Sequence, residues 1–213
     1  MQKVKIRKIT YEDIPKIVSL QRQSFSDMAS YGMVWPSEFL KNHIRVFPSG
    51  QICAEVGKGR IVASASSLIT SLRPQYRKHT WYEITDYGMF NNHDPSADSL
   101  YGADISTHPD FRGLGIGSKL YSARKEIIIK LNLKRMVIGG RLYNYLLYAD
   151  KMTAEEYAKK VVNGELDDPV LSFQLKNGFR FIKVLPHYLY DRRSLNYASF
   201  LEWLNPNFQQ KSA

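Results

Sequence analysis

The sequence predicts an α/β (α+β) fold, and three observations carry that reading. Residues 100–131 read as strand, glycine loop and helix. Leu100–Thr107 is an apolar-polar run broken by His108-Pro109-Asp110. The loop Phe111-Arg112-Gly113-Leu114-Gly115-Ile116-Gly117-Ser118 follows, and Ile116, Leu120, Ala123, Ile127 and Leu131 then recur at helical spacings of three and four. Strand-like runs and capped helical stretches succeed one another on both sides of that unit. Finally, 213 residues with 44% apolar content are enough for the core of one domain.

Taken in order, Val4, Ile6 and Lys8 alternate with Lys3, Lys5 and Arg7, a strand with one wet face. Thr10-Tyr11-Glu12-Asp13 opens a helix, with Thr10 as N-cap and acids in the first turn; Ile14, Ile17, Val18 and Gln21 trace its face. Residues 24–35 are irregular. Pro36-Ser37-Glu38 opens a second helix through Leu40, His43, Ile44 and Phe47. Strands at 51–56 and 60–69 flank the Gly57-Lys58-Gly59 hairpin, and Cys53 in the first is a small buried residue. The segment 70–99 is too long for a plain connection. Its aromatics, Trp81 and Tyr82 among them, either pack it down or touch a substrate.

After the glycine-loop helix, a short strand at 135–138 ends at Gly139-Gly140, and a tyrosine-rich stretch holds Tyr143, Tyr145 and Tyr148. Thr153-Ala154-Glu155-Glu156 is a capping box for a helix that stops at Asn163-Gly164. Asp168 caps another helix with Pro169 at its first position, and Asn177-Gly178 ends it in a left-handed turn. Strands at 179–185 and 197–203 close the chain.

A strand that hands over to a helix through glycines makes an anion cradle: the helix N-terminus offers unpaired N–H groups, and glycine lets the backbone approach a phosphate. A dinucleotide fingerprint needs G-x-G-x-x-G, whereas these glycines fall as G-x-G-x-G. A Walker loop needs Gly-Lys-Ser/Thr, whereas Gly117 is followed by Ser118-Lys119. What remains is Arg-x-x-Gly-x-Gly at Arg112, Gly115 and Gly117. No run reaches the length of a membrane span, and the N-terminus lacks a signal-peptide core. The single cysteine excludes an internal disulfide and a cysteine metal site. These features imply a cytoplasmic protein. The net charge of +10 is scattered, with no basic tract of five or more residues, so nucleic acid is not the expected partner. His93 and His108 have no second ligand at metal spacing, and no metal is expected.

The Arg112–Gly117 loop, entered through His108-Pro109-Asp110-Phe111, resembles the pyrophosphate loop of the GNAT acyl-CoA N-acetyltransferases. The later order of helix, Asn177-Gly178-Phe179 and strand resembles that family's second motif. The resemblance implies a GNAT-like mixed, mostly antiparallel sheet with helices on both faces and a splayed central strand pair, with acetyl-CoA in the gap. It implies one acyl-CoA N-acetyltransferase domain over 1–204, with insertions at 70–99 and 141–166, and a loose tail over 205–213. A narrower resemblance rests on Trp81-Tyr82-Glu83-Ile84-Thr85-Asp86, Gly139-Gly140-Arg141, Tyr148-Ala149-Asp150-Lys151-Met152 and Asp168-Pro169-Val170-Leu171. These look like the acetyltransferase half of bifunctional proteins in which a carbon–nitrogen hydrolase follows. No hydrolase is expected within these 213 residues, and the chain reads equally as a stand-alone protein or as a domain of a longer one.

The implied reaction moves an acetyl group from acetyl-CoA to a primary amine. Ile105, Ser106 and Thr107 of the central strand should hold the pantetheine arm. Arg112, Gly113, Leu114, Gly115, Ile116, Gly117 and Ser118 should hold the pyrophosphate. Lys119 and Arg124 face solvent or the adenosine phosphate. Asp104, the only acid on the central strand, is the expected base, with Glu83 and Asp86 as rivals. The family's usual acid is a tyrosine four residues before the glycine of the Gly-Phe pair. Gln174 stands there and cannot donate a proton as an acid, so Tyr148 is the expected substitute. The acceptor is a small-molecule or peptide amine, and a homodimer is among the expectations. Two other readings stand beside this one: a catalytically inactive GNAT-shaped module that binds acyl-CoA or a partner, and a nucleic-acid-binding protein resting on charge.

Overall fold

A computed structural model describes residues 3–25, 34–72 and 76–210. Parts of the expected irregular stretch at 24–35, of the 70–99 insertion and of the tail lie outside the described residues. The strands are β1 (Val4–Lys8), β2 (Gln51–Val56), β3 (Arg60–Thr70), β4 (Ser99–Thr107), β5 (Arg135–Arg141), β6 (Arg180–Leu185) and β7 (Ala198–Leu204). They form one sheet in the order β1-β2-β3-β4-β5-β7-β6. Every neighbouring pair is antiparallel except β4 and β5, which run parallel. The helices are α1 (Ile14–Ser24), α2 (Ser37–Val46), α3 (Trp81–Thr85), α4 (Ile116–Lys130), α5 (Ala154–Val162) and α6 (Leu171–Lys176).

Alternation along the central strands loads both faces of the sheet. Tyr101 and Val137 point into a core shared with Ile14, Ile17 and Leu20 of α1, Leu40 and Ile44 of α2, and Trp81 and Ile84 of α3. Their neighbours Leu100, Met136 and Ile138 point the other way, to Tyr121 and Ile128 of α4, Tyr157 and Val161 of α5, and Leu171 of α6. The start of α4, Ile116 and Leu120, covers the small apolar face of β2 and β3 at Ala54, Val62, Ala63 and Ala65. The sheet is thereby sandwiched, as its two-sided apolar pattern requires.

Several elements differ from the sequence reading. Thr10 and Asp13 do form a capping box, but it closes a single tight turn, Tyr11–Asp13, that leads into α1. The strand expected to stop at Gly139-Gly140 runs through it: Gly139 pairs with Phe200, Gly140 with Ser199 and Arg141 with Ala198. Glycine is needed there because of what crosses the strand. A Cβ on Gly139 would stand 2.3 Å from the Tyr188 hydroxyl, and one on Gly140 would stand 2.4 Å from the Gln174 amide oxygen. The Asp168 carboxylate accepts the N–H groups of Val170 and Leu171 at 3.0 Å each, so α6 starts at Leu171, two residues beyond Pro169. The tail is not loose through Gln209: Asn205 donates to the carbonyls of Lys134 and Leu133, and Gln209 exchanges hydrogen bonds with Asn132.

Arg7 fastens the N-terminal strand to the rest of the fold. Its guanidinium takes both oxygens of Asp13, at 2.5 and 3.0 Å, and Glu55 of β2 at 2.7 Å. This pairing holds the Asp13 carboxyl down at about 2, against the cost of its burial. A carboxylate depressed in the folded state stabilises fully above its unfolded value of 3.8 and loses that contribution as pH falls towards about 2. Asp13→Asn should therefore cost about 2 kcal/mol at neutral pH in urea unfolding. The gap between parent and variant should close as pH is lowered from about 4 to about 2. A gap that persists undiminished at the acid end would mean that the ion pair is not its source.

Candidate active site

The site follows from one break in the sheet. β4 and β5 pair from Ser99↔Arg135 to Gly102↔Ile138 and no further. Beyond that point β4 stays with β3, through Ala63↔Thr107, and β5 stays with β7. The edge of β4 over 103–107 that turns towards β5 is left without a strand partner. The ladder to β3 is also disturbed there: Ser66 pairs with Asp104 and Ser67 with Gly102, so Ala103 bulges out. A cleft of about 920 Å³, including its open mouth, fills the gap.

Arg124 holds this break from below. It lies on α4 at 1% exposure, and its guanidinium donates to the Ser66 carbonyl at 2.7 Å and to the Asp104 carbonyl. It therefore bridges β3 and β4 at the bulge. Gly102 makes room: a Cβ there would meet Arg124 Nη1 at 3.1 Å and Ile138 at 2.8 Å. The expectation that Arg124 faces solvent or the adenosine phosphate is overturned. The buried stripe of α4 runs Ile116, Leu120, Tyr121, Arg124 and Ile128, and carbonyls freed by the bulge supply the partners that a buried cation needs. Its Nε has no hydrogen-bond partner among the described residues.

Asp104 lies in the cleft wall, half-buried, with its carboxylate accepting from the Ser106 hydroxyl at 3.0 Å. That bond places Asp104 and Ser106 on one face of β4. Burial pushes the Asp104 carboxyl up to about 6, outweighing the Ser106 hydroxyl, the Arg124 charge and the Ile105 amide, which hold it down. A carboxyl poised there is mostly ionised at neutral pH and can still take up a proton, which suits a general base. The rival acids do other work. Glu83 caps α3, accepting from the backbone and hydroxyl of Thr80 at 2.7 and 3.0 Å on an exposed surface. Asp86 ends that helix in a left-handed conformation and accepts from Asn91. Neither lines the cleft.

The structure does not bring Tyr148 to the cleft. Its ring packs 5.2 Å from Tyr157 in the tyrosine cluster over α5. Among the described residues the tyrosines that line the cleft are Tyr121 and Tyr188. Tyr121, on α4 and 2% exposed, lines the cleft together with Gln174 and lies beside Arg124. Burial raises its hydroxyl, while Arg124 and Gln174 pull it down. Sequence reading passed over Tyr121 because it counts as one more helix-face aromatic. Only the meeting of α4 with α6 shows that it adjoins Gln174.

The loop fits a pyrophosphate. Gly113 and Gly115 adopt φ of +75° and +73°, and at both positions a Cβ would meet nothing within 4 Å. The first bond within α4 is Lys119 N–H to the Gly115 carbonyl, so the amides of Ile116, Gly117 and Ser118 precede it and stand free for an anion. Gly117 is needed for packing, since a Cβ there would reach Phe173 at 2.8 Å. The Arg112 side chain is occupied: it donates to the Thr107 carbonyl at 3.3 Å and to Ser24 at the end of α1 at 2.8 Å. Arg112 therefore clamps the loop, and its own backbone N–H is taken by the Pro109 carbonyl at 3.1 Å. Ile105, Ser106 and Thr107 lie on the stretch of β4 that β5 has left. His93 accepts from the Ile69 amide and stacks on Phe47, and no group of three or more potential metal ligands occurs among the described residues.

With this geometry goes a family. Residues 14–149 match the Acetyltransferase (GNAT) family, and the chain belongs to it: an acyltransferase domain whose acetyl donor is acetyl-CoA. It is similar to two proteins of Bacillus subtilis (strain 168). One, described as probable hydrolase YhcX, is 43% identical over 208 residues, which is 97% of this chain and 40% of that one. The other, described as uncharacterized N-acetyltransferase YkwB, is 39% identical over 207 residues, 97% of this chain and 91% of that one. The chain thus spans less than half the length of the first relative and most of the second. The loading GNATL domain of CurA from Lyngbya majuscula shares the fold at a TM-score of 0.81 and 20% identity, over 95% of this chain and 98% of that one. GphF, a GNAT-like decarboxylase in complex with isobutyryl-CoA, does so at 0.74 and 18%, over 94% and 98%. No helix among the described residues is long and apolar enough to cross a membrane.

Gly115→Val tests the cradle. A β-branched residue at φ +73° costs about 1–2 kcal/mol, which lowers the thermal midpoint by only a few degrees in a chain of this size. The variant should stay folded and lose the thermal stabilisation that acetyl-CoA gives the parent. Equal stabilisation of parent and variant would place the pyrophosphate elsewhere.

Proposed function

We propose that this domain acetylates a primary amine of apolar character, with Asp104 taking a proton from the acceptor nitrogen. The observation that carries the reading is the position of Asp104: on the bulged edge of β4, in the cleft, with a carboxyl raised to about 6. Bound acetyl-CoA would supply the acyl carbon, held along 105–107 and at 112–118. Acceptors in this family are small molecules or peptides. The acceptor end of the cleft is lined by Phe25, Trp35, Trp81 and Leu189. Trp35 and Trp81 stack at 6.2 Å, and the Trp81 indole N–H donates to the bulged Ala103 carbonyl at 3.0 Å. An apolar or aromatic substituent buries well against such walls, whereas a polyamine would leave its extra charges unpaired. Tyr121, steadied by Gln174, is the hydroxyl we assign to the departing sulfur in place of Tyr148. A cytoplasmic setting accords with a single cysteine, buried in β2.

A panel of phenethylamine, n-hexylamine, spermidine and a lysine peptide, read by release of free CoA, tests the reading. Phenethylamine and hexylamine should turn over fastest. Acetyl-CoA binding without CoA release from any amine would instead mark a binding module. Asp104→Asn should lower turnover by about 10²–10⁴-fold with acetyl-CoA binding retained. The parent's kcat/KM should fall as pH drops through about 6, where the carboxylate takes up its proton, and the variant should lack that limb. An acid whose folded value is raised opposes folding once ionised, so the same variant should raise the thermal midpoint at pH 7. A lowered midpoint with parental turnover would make Asp104 a structural residue.

A further inference from the structure

Across the splay from Asp104, the cleft wall holds a second polar chain. Tyr188, in the β6–β7 connection, lies with its hydroxyl against Gly139 of β5. That hydroxyl is 2.6 Å from the hydroxyl of Tyr101 on β4. The Tyr101 hydroxyl is 3.2 Å from His79 Nε2, and His79 Nδ1 is 3.0 Å from the Arg77 carbonyl. His79, Tyr101 and Tyr188 are 5%, 0% and 2% exposed, and Phe200 closes the back, with its ring 5.2 Å from the imidazole.

The direction of this chain is fixed at its inner end. A carbonyl only accepts, so His79 Nδ1 carries a hydrogen. Burial disfavours the imidazolium, so in the resting protein Nε2 is a bare lone pair. Tyr101 must then donate to Nε2. Its single hydrogen is thereby committed, so Tyr188 must donate to Tyr101. Every hydrogen points away from the cleft, and Tyr188 presents to the cleft an oxygen that can only accept.

We propose that Tyr188, Tyr101 and His79 form a second proton acceptor of the reaction, a relay that takes a proton from the acceptor nitrogen at Tyr188 and stores it on His79 Nε2. The proposal rests on the amine-acetylation reading, and its need comes from the stoichiometry. An ammonium R–NH₃⁺ becomes an amide R–NH–CO–CH₃, so nitrogen gives up two protons as the C–N bond forms and the C–S bond breaks, sulfur leaving with the electron pair. Asp104 takes one. The other passes to the Tyr188 oxygen as the Tyr188 hydrogen moves to Tyr101 and the Tyr101 hydrogen moves to Nε2. Tyr121 gives its proton to the thiolate; afterwards one of the two stored protons restores the Tyr121 hydroxyl and the other returns to solvent. Tyr188 touches the substrate in this scheme; Tyr101 and His79 act through it. The charged groups around His79 are Arg77 beside it and Lys183 on β6, which disfavour the imidazolium, and Glu83 on α3, which favours it.

Nitrogen-15 NMR of histidine-labelled protein, with His79→Gln to assign the signals, tests the polarity without any acceptor. His79 should show a protonated Nδ1 and an unprotonated, hydrogen-bonded Nε2, and Tyr101→Phe should move the Nε2 signal towards that of a free imine nitrogen. A protonated Nε2 in the neutral ring would reverse the chain and overturn the proposal. In turnover of phenethylamine, Tyr188→Phe and Tyr101→Phe should each lower kcat by about 10²-fold with KM for acetyl-CoA unchanged. The double variant should be no worse than either single one, since both break one chain. Retention of acetyl-CoA thermal stabilisation certifies each variant as folded. Parental kcat in folded Tyr101→Phe would overturn the relay alone. If no amine of the panel turns over, the acetylation reading fails and takes the relay's role with it, whatever the tautomer.

Discussion

The site depends on the parting of two parallel strands. A parallel pair held along its whole length would bury its backbone groups in the ladder and leave no cleft. Here the ladder ends at Gly102↔Ile138, and a buried guanidinium occupies the position where the strands begin to diverge. Arg124 satisfies the Ser66 and Asp104 carbonyls that the bulge turns away from regular pairing. A cation buried among carbonyls is costly unless its donors are used. The bulge supplies acceptors for the guanidinium, and the guanidinium holds the bulge. Gly102, with no side chain in the way, is the third part of the arrangement.

From that parting the chemistry of both walls follows. On the β4 wall the edge that β5 has left carries Asp104, half-buried in the cleft, and burial raises its carboxyl to about 6. On the β5 wall two consecutive glycines let Tyr188 and Gln174 press against the strand. One wall thus carries a carboxylate and the other the Tyr188 hydroxyl. Trp35 and Trp81 line the cleft on the side of α1 and α3.

Local signals foretold much of the scaffold. The capping box at Thr153/Glu156 and the left-handed turn at Gly178 stand where the residues place them, because each is completed by neighbours within a few positions. Boundaries were less legible where a distant partner decides them. β5 continues through Gly139-Gly140 because β7 pairs with it, and residues 205–209 are held by Leu133, Lys134 and Asn132. Neither partner is near in sequence.

What the sequence determined by itself is the unit of strand, glycine loop and helix, and the presence of a single acid on the central strand. These are set by backbone preferences and side-chain order over about thirty contiguous residues. Only the tertiary structure decided which side chains share the cleft. Tyr148 and Tyr121 are alike as isolated tyrosines, yet one packs among the rings over α5 and the other meets Gln174 beneath the splay. Arg124 reads as a surface cation and is buried. His79, Tyr101 and Tyr188 are spread over more than a hundred positions and adjoin one another only because the sheet brings β4 beneath the β6–β7 connection. Burial and hydrogen-bond partnership are properties of neighbours in space, and the sequence records only neighbours along the chain.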